Sequence, residues 1–194
     1  RGGLVNFRLD DEISSGVKRA CTENHITPNV FFLSAFVLLI WKYSARETVV
    51  IGTPYANREH DELKNIFGYF IRTIPLRFDI DSSKDLRSWF SYIKDQFISA
   101  WSMSGLGIDE LVDIIEVPRL MNVNPIYQVL FAFQSYSKNI DQDGIIAFSQ
   151  EFPDRGISEN DLALYMWGSD SFAGSLEYSS DLFERNSIEL FINN

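Results

Sequence analysis

Two histidines, His25 and His60, and one cysteine, Cys21, are all that 194 residues offer of the side chains that titrate nearest neutral pH. His25 falls where a helix should end, and an imidazole there can meet the terminal carbonyls. His60 lies inside Arg58-Glu59-His60-Asp61-Glu62 and reads as a solvated loop histidine. Cys21 has no histidine at motif spacing and reads as a small core residue. Asp61 and Glu62 are adjacent and would point apart on an ordered backbone, so they make no metal site. The phosphate loop G-x-x-x-x-G-K-[ST], the G-x-S-x-G elbow and C-x-x-C are all missing. The chain by itself presents no catalytic acid, base or nucleophile, and no metal set.

Polar residues set in apolar surroundings are the remaining chemistry. Residues 51–77, IGTPYANREHDELKNIFGYFIRTIPLR, read as a buried strand, a polar loop and a second buried strand. Gly52, Pro54, Asn57 and Gly68 punctuate them where the backbone must bend or approach closely. Residues 124–134, NPIYQVLFAFQ, form an aromatic-rich strand that holds Gln128 and Gln134.

The elements that would position these groups follow from periodicity. Residues 4–9 alternate as a strand. Asp10 or Asp11 caps a following helix whose apolar stripe is Ile13, Val17, Ala20 and Cys21. Thr27-Pro28 starts a second helix to about Tyr43, apolar nearly all round and so expected between two layers. Residues 48–54 are β-branched and continuous, as a strand covered on both sides should be. Residues 56–65 are turn-like, and 69–78 return as a strand. Ser82 or Ser83 opens a long helix with Leu86, Trp89, Phe90, Ile93, Phe97, Ile98 and Trp101 at helical spacing, a core stripe. Ile108, Leu111, Val112 and Ile115 mark a short helix, and 118–125 a loop. Strands are expected at 126–134, 144–152, 162–167 and 172–178, with a hairpin at 168–171 and a last helix from Asp181. The order predicts one α/β domain, an α+β two-layer arrangement of mixed sheet covered by helices.

Composition narrows the classes. With 27 acidic against 17 basic residues the formal charge is −10, and no basic cluster is visible, which argues against nucleic acid. The longest apolar run, 30–41, is too short to span a bilayer. A single cysteine and the lack of an N-x-[ST] sequon point to a reducing, cytoplasmic setting. Both ends look cut from something longer.

Four stretches in order resemble the C-terminal lobe of condensation domains from nonribosomal peptide synthetases, part of the chloramphenicol acetyltransferase-like superfamily. IGTPYANR at 51–58 is similar to that family's IGTPxANR. FGYFIRTIPLR at 67–77 matches IGxFVNTxxxR in Gly68, Phe70, Thr73 and Arg77. Residues 119–129 match RDxSRNPLFQV through Asn124 and Pro125, and GSLEYSSDLF at 174–183 matches GxLEYxxDLF from Gly174 onward. Departures are Arg72 where the family has Asn, Leu120 and Val123 in the third motif, and MSGLGID at 103–109 where the family reads HQDxPFE. The family's HHxxxDG motif is absent.

The resemblance implies one lobe of a two-lobed domain, spanning 1–194, which supplies a wall of the substrate tunnel. Tyr69, Arg72, Tyr127, Gln134 and Trp167 are its candidate wall residues; Asn57, Arg58 and Glu62 belong to a floor loop at 56–65. It implies no directly bound cofactor. The phosphopantetheine arms of peptidyl carrier proteins would deliver both thioesters, with the N-terminal lobe and an adenylation domain as further partners and a dimer of the isolated chain as another expectation. Arg72 would either face the tunnel or pair with an acid such as Glu62. The altered Arg72, Leu120 and Val123 also leave open a non-catalytic lobe that recruits carrier or tailoring proteins; a stand-alone acyltransferase lobe using coenzyme A is a third reading.

Overall fold

A computed structural model of the chain describes residues 1–58, 61–103, 105–116, 123–135 and 153–193. Strands β1 (Gly2–Arg8), β2 (Thr48–Tyr55), β3 (Arg72–Asp79), β4 (Val129–Gln134), β5 (Leu162–Gly168) and β6 (Phe172–Ser179) join in one sheet, order β1-β6-β5-β4-β2-β3. The three central strands β5, β4 and β2 run parallel, and the flanking pairs are antiparallel. The expected mixed sheet is therefore present. The strand expected at 144–152 lies outside the described residues.

Helices α1 (Asp11–Asn24), α2 (Pro28–Ser44), α4 (Leu86–Ser102) and α6 (Arg185–Ile192) surround the core; α3 (Asp61–Lys64) and α5 (Ile108–Ile114) are short. Strand parity sorts the sheet into two faces, because successive side chains alternate. Val5, Val49, Ile51, Leu76, Phe78, Phe131, Leu162, Met166, Phe172 and Leu176 share the core with Leu33, Phe36 and Val37 of α2 and with Trp89, Phe90 and Ile93 of α4. The opposite face carries Gly52, Gln134, Ala163, Tyr165, Trp167, Ser175 and Glu177.

Helix starts follow local chemistry. Asp10 Oδ1 accepts from the Ile13 N–H at 2.7 Å, and Thr27 Oγ1 from the Val30 N–H at 3.3 Å, with Pro28 needing no donor partner at the first turn. The expected start of α4 at Ser82 or Ser83 is corrected to Leu86, capped by Asp85, which accepts from the Ser88 N–H at 2.8 Å. Ser83 is consumed upstream, its N–H and hydroxyl both donating to Asp81. The α1 stripe is corrected too: Ile13 is exposed and Ser14 takes the buried place, accepting from the Phe172 N–H at 3.4 Å. Leu86, Ile98 and Trp101 of the α4 stripe are likewise exposed. The last helix begins at Arg185 rather than Asp181, with Glu184 at its cap position.

Helix α2 satisfies the two-layer expectation over its first half. Leu33 and Val37 are fully buried and Ser34 folds its hydroxyl onto the Val30 carbonyl at 2.7 Å. Its last turn is more open, with Tyr43 exposed and Phe191 of α6 at 5.0 Å from that ring. His25 ends α1 in the left-handed region, φ 53°, and its backbone N–H, not its ring, meets the Thr22 carbonyl. Burial pushes the Cys21 thiol up, away from reactivity. No single helix among the described residues is long and apolar enough to cross a membrane.

Candidate functional site

The carboxyl ends of β2, β4 and β5 lie together at one end of the sheet, the place where open α/β sheets bind ligands. β2 and β4 are in register only at Ile51–Val129 and Gly52–Leu130. Beyond those pairs no further register partner joins β2 to β4, although the strands continue to Tyr55 and Gln134. Four candidate wall residues stand around that end. Gln134 and Trp167 are register partners on β4 and β5, on the face away from the helices. Arg72 pairs with Tyr55 where β3 begins, and Tyr69 precedes it in the loop.

Their environments differ. Trp167 is buried and Gln134 is exposed. Arg72 is corrected as to partner: instead of Glu62 its Nη1 donates to the Gly105 carbonyl at 3.4 Å, bridging β3 to the turn after α4. Its parity matches Ile74, so it stands on the helix side, opposite to Gln134 and Trp167. Tyr69, expected inside a strand from 69 to 78, lies outside it, because β3 starts only at Arg72 where β2 offers Tyr55 as partner. It is 88% exposed and its neighbour Phe67 wholly so.

Tyr127 stands apart. Its ring covers Gly52, where a Cβ would come within 2.6 Å of ring carbon Cε2, so only glycine admits it. That places it level with Leu130, roughly 13 Å along β4 from Gln134 at ~3.3 Å per residue. Asn124 explains the placement: its Oδ1 accepts from the Ile126 N–H at 3.0 Å and the Tyr127 N–H at 3.3 Å. That turn occupies 124–127, so β4 starts at Val129 and not at 126. Gln128 closes it, its side-chain Nε2 donating to the Asn124 carbonyl at 2.9 Å. Half-buried Pro125 holds the turn's middle.

The loop between β2 and β3 is organised by Arg58. Asn57 before it has φ 50°, a left-handed turn that asparagine tolerates. Arg58 Nη1 donates to the carbonyls of Leu63 at 2.5 Å and Ile66 at 2.8 Å, and Nη2 to Gly68 at 3.1 Å. Its guanidinium lies 4.5 Å from the Phe70 ring centre. Glu62 is exposed on α3. The remaining motif residues serve the sheet. Pro54 and Thr73 face each other across β2 and β3, Arg77 bonds Asp79 at 3.0 Å, and Gly174 leaves room for Phe7 and Met166.

A polar row escaped the sequence reading. Tyr165, Ser175 and Glu177 share Trp167's face, and the Ser175 hydroxyl donates to Asn6 Oδ1. Burial, with the Glu159 carboxylate acting in the same sense, pushes Glu177 above the usual carboxylate range against the pull of Ser158 and Arg155. Burial and the charges of Glu177 and Glu159 raise Tyr165 likewise. Alternation along 162–167 and 172–178 held the signal, since Tyr165 and Glu177 share Trp167's parity. Among the described residues no group of three or more His, Cys, Asp or Glu side chains could hold a metal ion.

The family model of the condensation domain matches residues 1–194. The chain is 32% identical over 193 residues to malpinin synthetase of Mortierella alpina, which covers 97% of this chain and 2% of the relative. It is 30% identical over 189 residues to bacitracin synthase 3 of Bacillus licheniformis, covering 97% and 3%. Among solved structures, holo-AB3403, a four-domain nonribosomal peptide synthetase bound to AMP and glycine, superposes with a TM-score of 0.89 at 25% identity, covering 99% of this chain and 16% of that one. The chain thus spans 2–3% of the length of these two curated relatives. With its whole length matched and its mixed sheet shared with that synthetase, the chain belongs to the condensation-domain family.

Proposed function

We propose that this chain is one lobe of a condensation domain and forms one wall of the channel in which a synthetase joins two carrier-bound thioesters. The end of β2–β4 pairing carries the reading. In it a crevice lies at the carboxyl ends of parallel strands, flanked by Gln134 and Trp167 on one face and by Arg72 and residues 61–71 on the other. Around it stand exposed apolar side chains, Phe67, Tyr69, Met103 and Leu106 among them, an area larger in character than scattered surface residues. A second lobe would cover them.

The chain's residues bind and orient in this reading; they do not move the proton. Amide formation from a thioester needs two reactants aligned in a water-poor channel and one base near the amine. Gln134, at the crevice, offers an amide that can pair with the backbone of a peptidyl donor or acceptor. The base would come from the HHxxxDG histidine of the other lobe, delivered opposite phosphopantetheine arms held by carrier proteins.

In a synthetase containing this chain, Gln134→Ala is expected to lower dipeptide formation at least tenfold while aminoacyl loading of the carriers stays unchanged. Unchanged dipeptide formation would remove this face from the channel. Loss of carrier binding without any condensation in the unaltered synthetase would favour a docking platform instead.

A further inference from the structure

Arg58 is the basic side chain that meets the 61–70 loop at four points. Leu63 is the third of the four residues of α3, so its carbonyl lacks a next turn; the Ile66 N–H reaches it at 3.3 Å and Arg58 Nη1 at 2.5 Å. The guanidinium then gathers the carbonyls of Ile66 and Gly68 and lies on Phe70. Gly68 makes the last contact possible, since a Cβ there would meet the Phe70 ring at 3.0 Å.

Apolar burial does not shape this segment. Ile66, Phe67, Tyr69 and Ile71 are all exposed, Phe67 completely. Three carbonyls of the loop instead converge on one cation, with an aromatic face behind it. A guanidinium supplies several donors in a fixed planar fork, whereas an ammonium is a point charge on a flexible stem.

We infer that Arg58 is a positioning residue that locks the 61–70 loop and so presents Phe67 and Tyr69, on either side of Gly68, as a fixed pair at the rim of the crevice. The inference rests on the channel reading for its consequence, but not for its test. The loop's order belongs to the guanidinium, so lysine does not replace it.

Limited chymotrypsin digestion of the chain reads the loop directly, because its exposed aromatics are cleavage sites whose rate follows local opening. Arg58→Ala is expected to speed cleavage at 67–70 at least tenfold with the melting temperature nearly unchanged. Arg58→Lys should lie nearer the alanine variant than the wild type, and Phe70→Leu between them. Should Arg58→Ala fail to fold, Arg58→Lys and Phe70→Leu decide. Equal cleavage rates in wild type and Arg58→Lys overturn the inference. Dipeptide formation by the parent synthetase separates the two readings. Faster cleavage with undiminished dipeptide formation keeps Arg58's role and removes the loop from the channel; unchanged cleavage with lost dipeptide does the reverse.

Discussion

Glu177 shows how one half-buried side chain can report on a face of the sheet. It lies on β6 beside Ser158 and Glu159, where residues 156–158 approach the start of β1 so closely that Gly2 donates to the Gly156 carbonyl at 2.9 Å. Burial disfavours its charge more than Ser158, Arg155 and the Glu159 N–H favour it, so its folded pKa is raised. A raised carboxylate gives stability that is fully present below the ordinary glutamate pKa and is lost as pH rises through the folded value. Glu177→Gln removes that charge. The variant is expected to melt above wild type at pH 8, with the advantage shrinking towards pH 4; an equal difference at both pH values contradicts the assignment. Asp79 behaves oppositely. Hydrogen bonds from Thr48 and Arg77 hold it below the usual range, so its contribution fades only under acid conditions.

Caps and parity decide which face each element presents. The Asp10 carboxylate begins α1 and sets the register that buries Ser14, Val17 and Cys21. Asp10→Ala is expected to cost about 1 kcal/mol, read by urea denaturation, with no loss in the helical content of α2 or α4. A change below a few tenths would mean that tertiary packing alone holds the helix start. Elements with strong periodicity were legible in the sequence: α2 from Thr27-Pro28, β2 from its β-branched run, β5 and β6 from alternation and the hairpin between them. Starts were less so where two polar residues compete for the cap, as Asp85 against Ser82 and Ser83. Tyr69 misled because an apolar pattern continues upstream of β3, although Gly68 and Arg58 draw that stretch into the loop. Of the candidate residues, Gln134 and Trp167 stand as register partners because both lie at or next to the ends of neighbouring parallel strands. Arg58's grip was hidden, since a side chain reaching five to ten residues ahead leaves no periodic trace.

Across the molecule, one sheet forms the frame on which the proposed channel wall rests. The core face is filled by α2 and α4; the other face and the strand ends carry the polar groups and the exposed rim. Neither histidine stands among the candidate wall residues, and HHxxxDG is missing from the sequence. In the proposed reading the chain orients and encloses, and a second lobe supplies the base. Dipeptide formation from two loaded carrier proteins tests this most directly, comparing the chain alone, the complementary lobe alone and the two mixed. Product from the mixture only, abolished when the second HHxxxDG histidine is changed to alanine, is the predicted result. Product from the chain alone would contradict the account.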